Sequence, residues 1–252
     1  MAEILTLTRR KVRNRSTVAE LVRSHGWTGL VRPASAQVAR PDGVGERILP
    51  VLPELRGLFP AGGLRRGSTV AVAPTEPGSV ATGGPPFGAT SILLALLAGA
   101  SAAGSWCAVV GMPSLGLVAA AELGIALDRL ALVPDPGPDW PAVAAALLDG
   151  IDVVVAAPPG PVSAPLAGRL AARARQRGGV LVGYGRWAGA DVVLETAGGG
   201  WSGLGQGHGR LSRRELVVSR YGRGAAARPR QAILWIPRCA GEPEAIRNEA
   251  VA

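Results

Sequence analysis

From about Pro50 to Pro237, two kinds of apolar run alternate along the chain. Short, nearly continuous runs of Val, Ala and Leu read as strands buried on both faces: STVAVA (68–73), WCAVV (106–110), LALVP (130–134), DVVVAA (152–157), VLVGY (180–184) and DVVLET (191–196). Longer runs between them read as helices: TSILLALLAGASAA (90–103), LGLVAAAELG (115–124), WPAVAAALLDG (140–150) and APLAGRLAARARQRG (164–178). Strands alternating with helices predict an α/β fold whose mostly parallel sheet is flanked by helices. The last two runs, ELVVSR (215–220) and AILWIP (232–237), have basic turns around them and predict a C-terminal antiparallel strand pair.

Outside this core the pattern weakens. Residues 1–49 read as a basic arm in which TVAELVRS (17–24) forms a short helix after the Ser16 cap, followed by a linker. Residues 50–237 are the core, and the polar residues 238–252 read as a loose tail. The glycine cluster GGGWSGLGQGHG (198–209) misses the spacing of a dinucleotide fingerprint and lies between strands.

Composition narrows the class. With 48% apolar but only 4% aromatic residues, the core must be built from Ala, Val, Leu and Ile. A chain of 252 residues is long enough to bury it without staples. The longest apolar run, Ile92 to Ala103, contains glycine and is too short to span a membrane. The opening MAEILTLTRRKVRNRS lacks the apolar segment of a signal peptide, so a cytoplasmic protein with no membrane partner is expected. Cys107, Cys239, His25 and His208 show no metal-ligand spacing and read as structural or surface residues.

The net charge of +9 sits at the ends: residues 1–49 hold nine Lys/Arg against four Asp/Glu, and residues 201–252 hold the same numbers. The middle, 50–200, holds nine against ten. Basic ends suit contacts with an anionic partner, nucleic acid or an acidic protein surface. The candidates are Arg9, Arg10, Lys11 and Arg13 in the arm, and Arg213, Arg214, Arg220, Arg223, Arg228 and Arg230 near the other end. Trp27, Trp187 and Trp201 either anchor an interface or fill gaps in an Ala-rich core.

The one candidate chemical motif is ATGGPPFGATS (81–91). Gly83, Gly88 and Thr90 fit G-x-x-x-x-G-K-[ST] except at the lysine, which is Ala89. A strand before the loop and a helix after it give the right setting for phosphates at a helix N-terminus. Pro85 and Pro86 each remove a backbone N–H from the cradle, and Lys11 is the only lysine in the chain. The motif therefore reads as a vestigial phosphate loop that binds no cofactor.

In order and spacing, several segments resemble the RecA-type recombinase core: AGGLRRGSTVAVAP (61–74) with the loop, LGIALDRLALVPDPGPDWPAVAAALLDGIDVVVAAPP (123–159), and ELVVSRYGRGAAARPRQAILWIP (215–237). That resemblance implies a RecA-like core and places its functional positions one by one. The phosphate-loop lysine falls at Ala89 and the magnesium-holding hydroxyl at Thr90. The catalytic glutamate falls near Met112, and the carboxylate supporting magnesium at Ala157. Loss of cation, base and metal support together implies no ATPase, hence no enzyme and no metal. The family's two DNA-binding loops are shortened here to PPGPVSAP (158–165) and GRWAG (185–189).

The overall pattern, including GSWCAVVGMP, LVPDPGPDWPAV, RLAARARQRGGVLV and WSGLGQGHGRLSRRELVV, resembles the ImuA′ family of RecA-like accessory proteins from the inducible mutagenesis (mutasome) system of high-GC Gram-positive bacteria. The resemblance implies a non-catalytic role in DNA-damage-induced translesion synthesis, associated with the nucleoid after damage. The implied partners are an ImuB-like Y-family polymerase homologue and an error-prone C-family DNA polymerase, with DNA as a further contact. Two alternatives stay open: an SOS-induced inhibitor of cell division on a RecA fold stripped of its ATP site, and an active DNA-stimulated ATPase or recombinase.

Overall fold

The computed structural model describes residues 47–74, 88–197, 200–205 and 208–236. Strand β1 (Ile48–Pro50), short helix α1 (Pro53–Arg56) and strand β2 (Gly63–Arg65) precede the alternation, with β1 and β2 pairing antiparallel. The main series is β3 (Thr69–Pro74), α2 (Ala89–Ala102), β4 (Cys107–Val110), α3 (Leu117–Glu122), β5 (Leu130–Val133), α4 (Trp140–Leu147), β6 (Val153–Ala156), α5 (Ala164–Arg177), β7 (Val180–Tyr184) and β8 (Val192–Ala197). It closes with β9 (Trp201–Gly205), β10 (His208–Gly222) and β11 (Arg230–Ile236).

These strands build one nine-stranded sheet in the order β11-β10-β8-β3-β7-β6-β4-β5, with β9 alongside the start of β10. The six strands from β5 to β8 pair parallel; β10 joins β8, β9 and β11 antiparallel. The α/β class, the mostly parallel sheet and the terminal antiparallel pair are thus as the pattern predicts. Alternation along each strand sorts the apolar residues onto two faces. One face packs α2 with the β1–β2 segment through Leu49, Leu55, Leu64, Ile92, Leu96, Val155, Leu194 and Leu216. The other packs α4 and α5 through Ala108, Trp140, Leu148, Val154, Leu170 and Leu181.

Helix α2 shows why its sequence lacks a polar face. Ten of its fourteen residues are buried, because it lies between the sheet and the β1–β2 segment. Helix α5 is the opposite case: it buries Ala167, Leu170, Ala171 and Ala174 at helical spacing and carries its arginines outside. It stops where Gly178 adopts a left-handed φ of 66°. Among the described residues, no helix is long and apolar enough to cross a membrane. The predicted arm helix at 17–24 and the tail 238–252 lie outside the described residues.

Candidate functional site at the carboxyl edge of the sheet

In doubly wound sheets ligands sit beyond the carboxyl ends of the strands. Strand β3 lies inside the sheet between β7 and β8, and α2 begins at the motif that follows it. Gly83 lies outside the described residues; Gly88, Ala89 and Thr90 lie inside. Gly88 caps α2 with φ 120°, and its carbonyl accepts the Ile92 N–H at 2.9 Å. A Cβ at Gly88 would lie 2.6 Å from Leu216 Cδ2, so a leucine of β10 closes over this residue.

Ala89, at the lysine position, is 2% exposed and belongs to the same apolar cluster as Leu216. A lysine there would start its stem inside the core, where an unpaired ammonium is costly. The Thr90 hydroxyl shares a hydrogen bond with the Tyr184 hydroxyl at 2.9 Å, at the end of β7. The would-be magnesium hydroxyl is therefore occupied by a protein group.

The other carried-over positions are apolar too. Met112 is half-buried and packs on the α2-side core, and Ala157 is buried. The Ala157 N–H donates to the Val110 carbonyl at 2.8 Å, and the Gly111 N–H to the Val133 carbonyl at 2.9 Å. A Cβ on Gly111 would sit 2.1 Å from the Ala157 carbonyl oxygen. The backbone closes the ends of β4, β5 and β6 together, so this edge offers packing and backbone polarity.

The segment joining β7 to β8 makes a crossover without a helix. Trp187 folds back on β7 so closely that a Cβ on Gly183 would sit 2.4 Å from its ring. Trp187 is 5% exposed and meets Trp140 edge-on, ring centroids 6.3 Å apart. Its indole N–H is buried with no acceptor among the described residues. Of the two roles open to this tryptophan, the structure gives it core filling. Trp27 and the side chain of Trp201 lie outside the described set.

Sequence reasoning missed one polar pair. The Tyr221 hydroxyl on β10 donates to the Glu195 carboxylate on β8, and burial together with that carboxylate pushes the phenol up to about 12. Only the strand register brings them together, with Ser219 opposite Glu195 and Tyr221 opposite Val193. Cys107 is buried on β4, and burial, with Asp152 nearby, pushes its thiol up to about 12. Among the described residues no group of three His, Cys, Asp or Glu side chains could hold a metal.

The C-terminal arginines do not form one surface. Arg214 lies midway along β10, where the pairing with β11 ends at Ile236, half-buried, its guanidinium pKa lowered by burial. Arg223, Arg228 and Arg230 are exposed at the opposite end of the hairpin, about 20–30 Å along the strand. Arg220 requires a correction. Offered as a surface contact, it is 2% exposed on the inward face of β10, and its Nη1 donates to the carbonyls of Ala226 and Arg228 at 2.8 Å each. Burial, and then Arg230 nearby, lower its pKa. The side chain of Arg213 and the arm residues Arg9, Arg10, Lys11 and Arg13 lie outside the described residues.

Residues 57–189, which carry Gly88 to Thr90, Met112, Ala157, Tyr184 and Trp187, match the model of the MT3502 N-terminal domain. The chain belongs to the MT3502 N-terminal domain family. Uncharacterized protein Rv3395c of Mycobacterium tuberculosis (strain ATCC 25618 / H37Rv) is 45% identical to it over 134 residues, 52% of this chain and 64% of that protein. The match thus spans just under two thirds of the relative's length. Within this MT3502 N-terminal domain chain the β8–β11 strands, with Glu195, Leu216 and Tyr221, lie beyond the matched residues.

Proposed function

We propose that this MT3502 N-terminal domain protein is a RecA-like accessory protein of the ImuA′ type, acting without catalysis in a DNA-damage-induced translesion synthesis complex. One observation carries the reading: the phosphate-loop position beside the central strand has been absorbed into the core. Ala89 is buried where the cation belongs, Leu216 covers Gly88, and Thr90 bonds Tyr184. The parallel sheet with its terminal antiparallel pair supplies the scaffold, and Met112 and Ala157 supply apolar groups where a base and a metal ligand would stand.

On this reading the chain works as a binding platform for an ImuB-like Y-family polymerase homologue, through which it meets an error-prone C-family polymerase. The test is a titration with a non-hydrolysable ATP analogue and magnesium, run beside a pull-down with the ImuB-like protein. The expected result is capture of that protein with no nucleotide-dependent rise in melting temperature. DNA-stimulated ATP hydrolysis abolished by Thr90→Val would overturn the reading, and so would a failure to capture the ImuB-like protein.

A further inference from the structure

The middle of the chain is close to neutral in sequence, yet two of its arginines, Arg65 and Arg175, meet arginines of the basic ends at one edge of the sheet. Strand β3 is preceded by Arg65 and Arg66, and β7 by Arg175 and Arg177; all lie at the amino edge of the parallel sheet, opposite the vestigial loop. Backbone contacts make this edge continuous. The Arg66 N–H donates to the Arg47 carbonyl at 2.7 Å, and the Gly67 N–H to the Gly179 carbonyl at 2.8 Å. A Cβ on Gly67 would lie 3.2 Å from the Arg175 Cα. Farther along, the Asp191 N–H donates to the Thr69 carbonyl and the Arg223 N–H to the Asp191 carbonyl, both at 2.9 Å. The hairpin turn then brings Arg228, and Arg230 reaches the Gly57 carbonyl at 3.4 Å.

Three carboxylates on this edge are engaged internally. Asp149 holds Arg173 and Arg177, Asp152 holds Arg66 and the Trp106 N–H, and Asp191 accepts the Thr69 N–H. On the stretch of this edge from β7 to β11, six exposed arginines, Arg47, Arg65, Arg175, Arg223, Arg228 and Arg230, have no carboxylate partner among the described residues. From β7 to β11 they span about 20 Å, four strand spacings.

We propose that this amino edge binds the phosphate backbone of duplex nucleic acid, without sequence preference. The cations are spread along a rim and do not converge, which suits a polyanion rather than one phosphate group. Single strands are gripped by stacking bases on aromatic rings. The six are all guanidinium groups, and the exposed ring of Tyr221 is tied by its hydroxyl to Glu195. Guanidinium groups pair with phosphate oxygens and read no base when they stay outside the grooves. The inference supplies the DNA contact of the proposed accessory role and takes only its biological setting from it.

The test is anisotropy of a labelled duplex of about 30 base pairs, titrated with the full chain at several salt concentrations. The comparison variant is the triple Arg65→Gln, Arg175→Gln, Arg223→Gln, with Arg186→Gln, at the carboxyl edge, as control. Each lost phosphate contact shallows the slope of log K against log salt by about 0.9, so the triple variant should lose about 2 to 3 in slope. Its affinity at about 50 mM salt should fall more than tenfold, with its melting temperature and its capture of the ImuB-like protein unchanged. The control should bind like wild type. Wild-type slope in the triple variant, no binding by the wild type at low salt, or tighter binding of a single strand of equal length would each overturn the proposal. A variant that loses the duplex and keeps the ImuB-like protein separates this surface from the accessory role.

Discussion

Replacing Gly88 by alanine tests whether the loop end that opens α2 is a packing element. Two costs follow from the geometry. At φ 120° an L side chain is strained, worth about 1–3 kcal/mol. The new methyl would also lie 2.6 Å from Leu216 Cδ2, and Leu216 is fully buried, so overpacking adds about 1–3 kcal/mol. The sum, about 2–6 kcal/mol, is a large share of the 5–15 kcal/mol or so that holds a domain together. Leu216→Ala alone should cost about 2–5 kcal/mol by leaving a cavity.

The double variant distinguishes the two terms. With Leu216 cut back, the methyl at 88 has room, the overpacking vanishes and only the backbone strain stays. The pair should therefore cost about 1–3 kcal/mol less than the sum of its singles. Urea unfolding followed by tryptophan emission and by circular dichroism gives each value, provided the two probes coincide. Additivity within about 0.5 kcal/mol would show that Leu216 does not close over Gly88, and the packing argument would fail. A loop kept for phosphate makes the contrary forecast: Gly88→Ala would leave the unliganded protein unchanged and remove a nucleotide-dependent rise in melting temperature.

Other outcomes follow from the buried polar groups. Arg220→Ala should destabilise by about 1–3 kcal/mol in urea unfolding, because the carbonyls of Ala226 and Arg228 lose their donor, while duplex binding stays unchanged. Cys107 and Tyr221 both have native pKa values raised to about 12, so the native state keeps their protons where the unfolded chain releases them. Their contribution to stability is thus full below the ordinary thiol and phenol ranges and falls as pH rises toward 12; thermal melts from pH 8 to about 11.5 should show the decline, steeper than in a Cys107→Ala, Tyr221→Phe variant. Asp149, held low first by its hydrogen bond from Arg173, contributes above the ordinary carboxylate range and loses that contribution as pH falls through its native value. Asp149→Asn should flatten that acid limb, with an effect that shrinks in salt.

Parallel strands covered on both faces must be apolar throughout, so β3, β4, β6 and β7 announced themselves, and helices buried on one face or all round filled the gaps. Strands β1 and β2 escaped because three residues are too few to show a period, and β9 because its WSGLG carries no apolar alternation within a glycine cluster. The fate of Arg220 was within reach: Leu216, Val218 and Arg220 share a period of two, which places the arginine on the inward face. The hydroxyl bond of Thr90 to Tyr184 was not, since it joins residues 94 apart. Nor was the basic rim, where Arg65, Arg175 and Arg223 gather only because β3 and β7 start, and antiparallel β10 ends, at the same edge.

The match to the MT3502 N-terminal domain stops at residue 189, inside the crossover between β7 and β8. In space that point is not a seam. Strand β3 sits between β7 on its matched side and β8 on its unmatched side, joined to each in parallel register. A chain cut at 189 would expose the ladder of Val70 to Pro74 in what is now the interior, and would strip Leu194 and Leu216 from the cluster around α2. The stretch that matches the family and the unit of folding therefore differ in this protein. A fragment that behaves as an independent body has to run through β11, to residue 236.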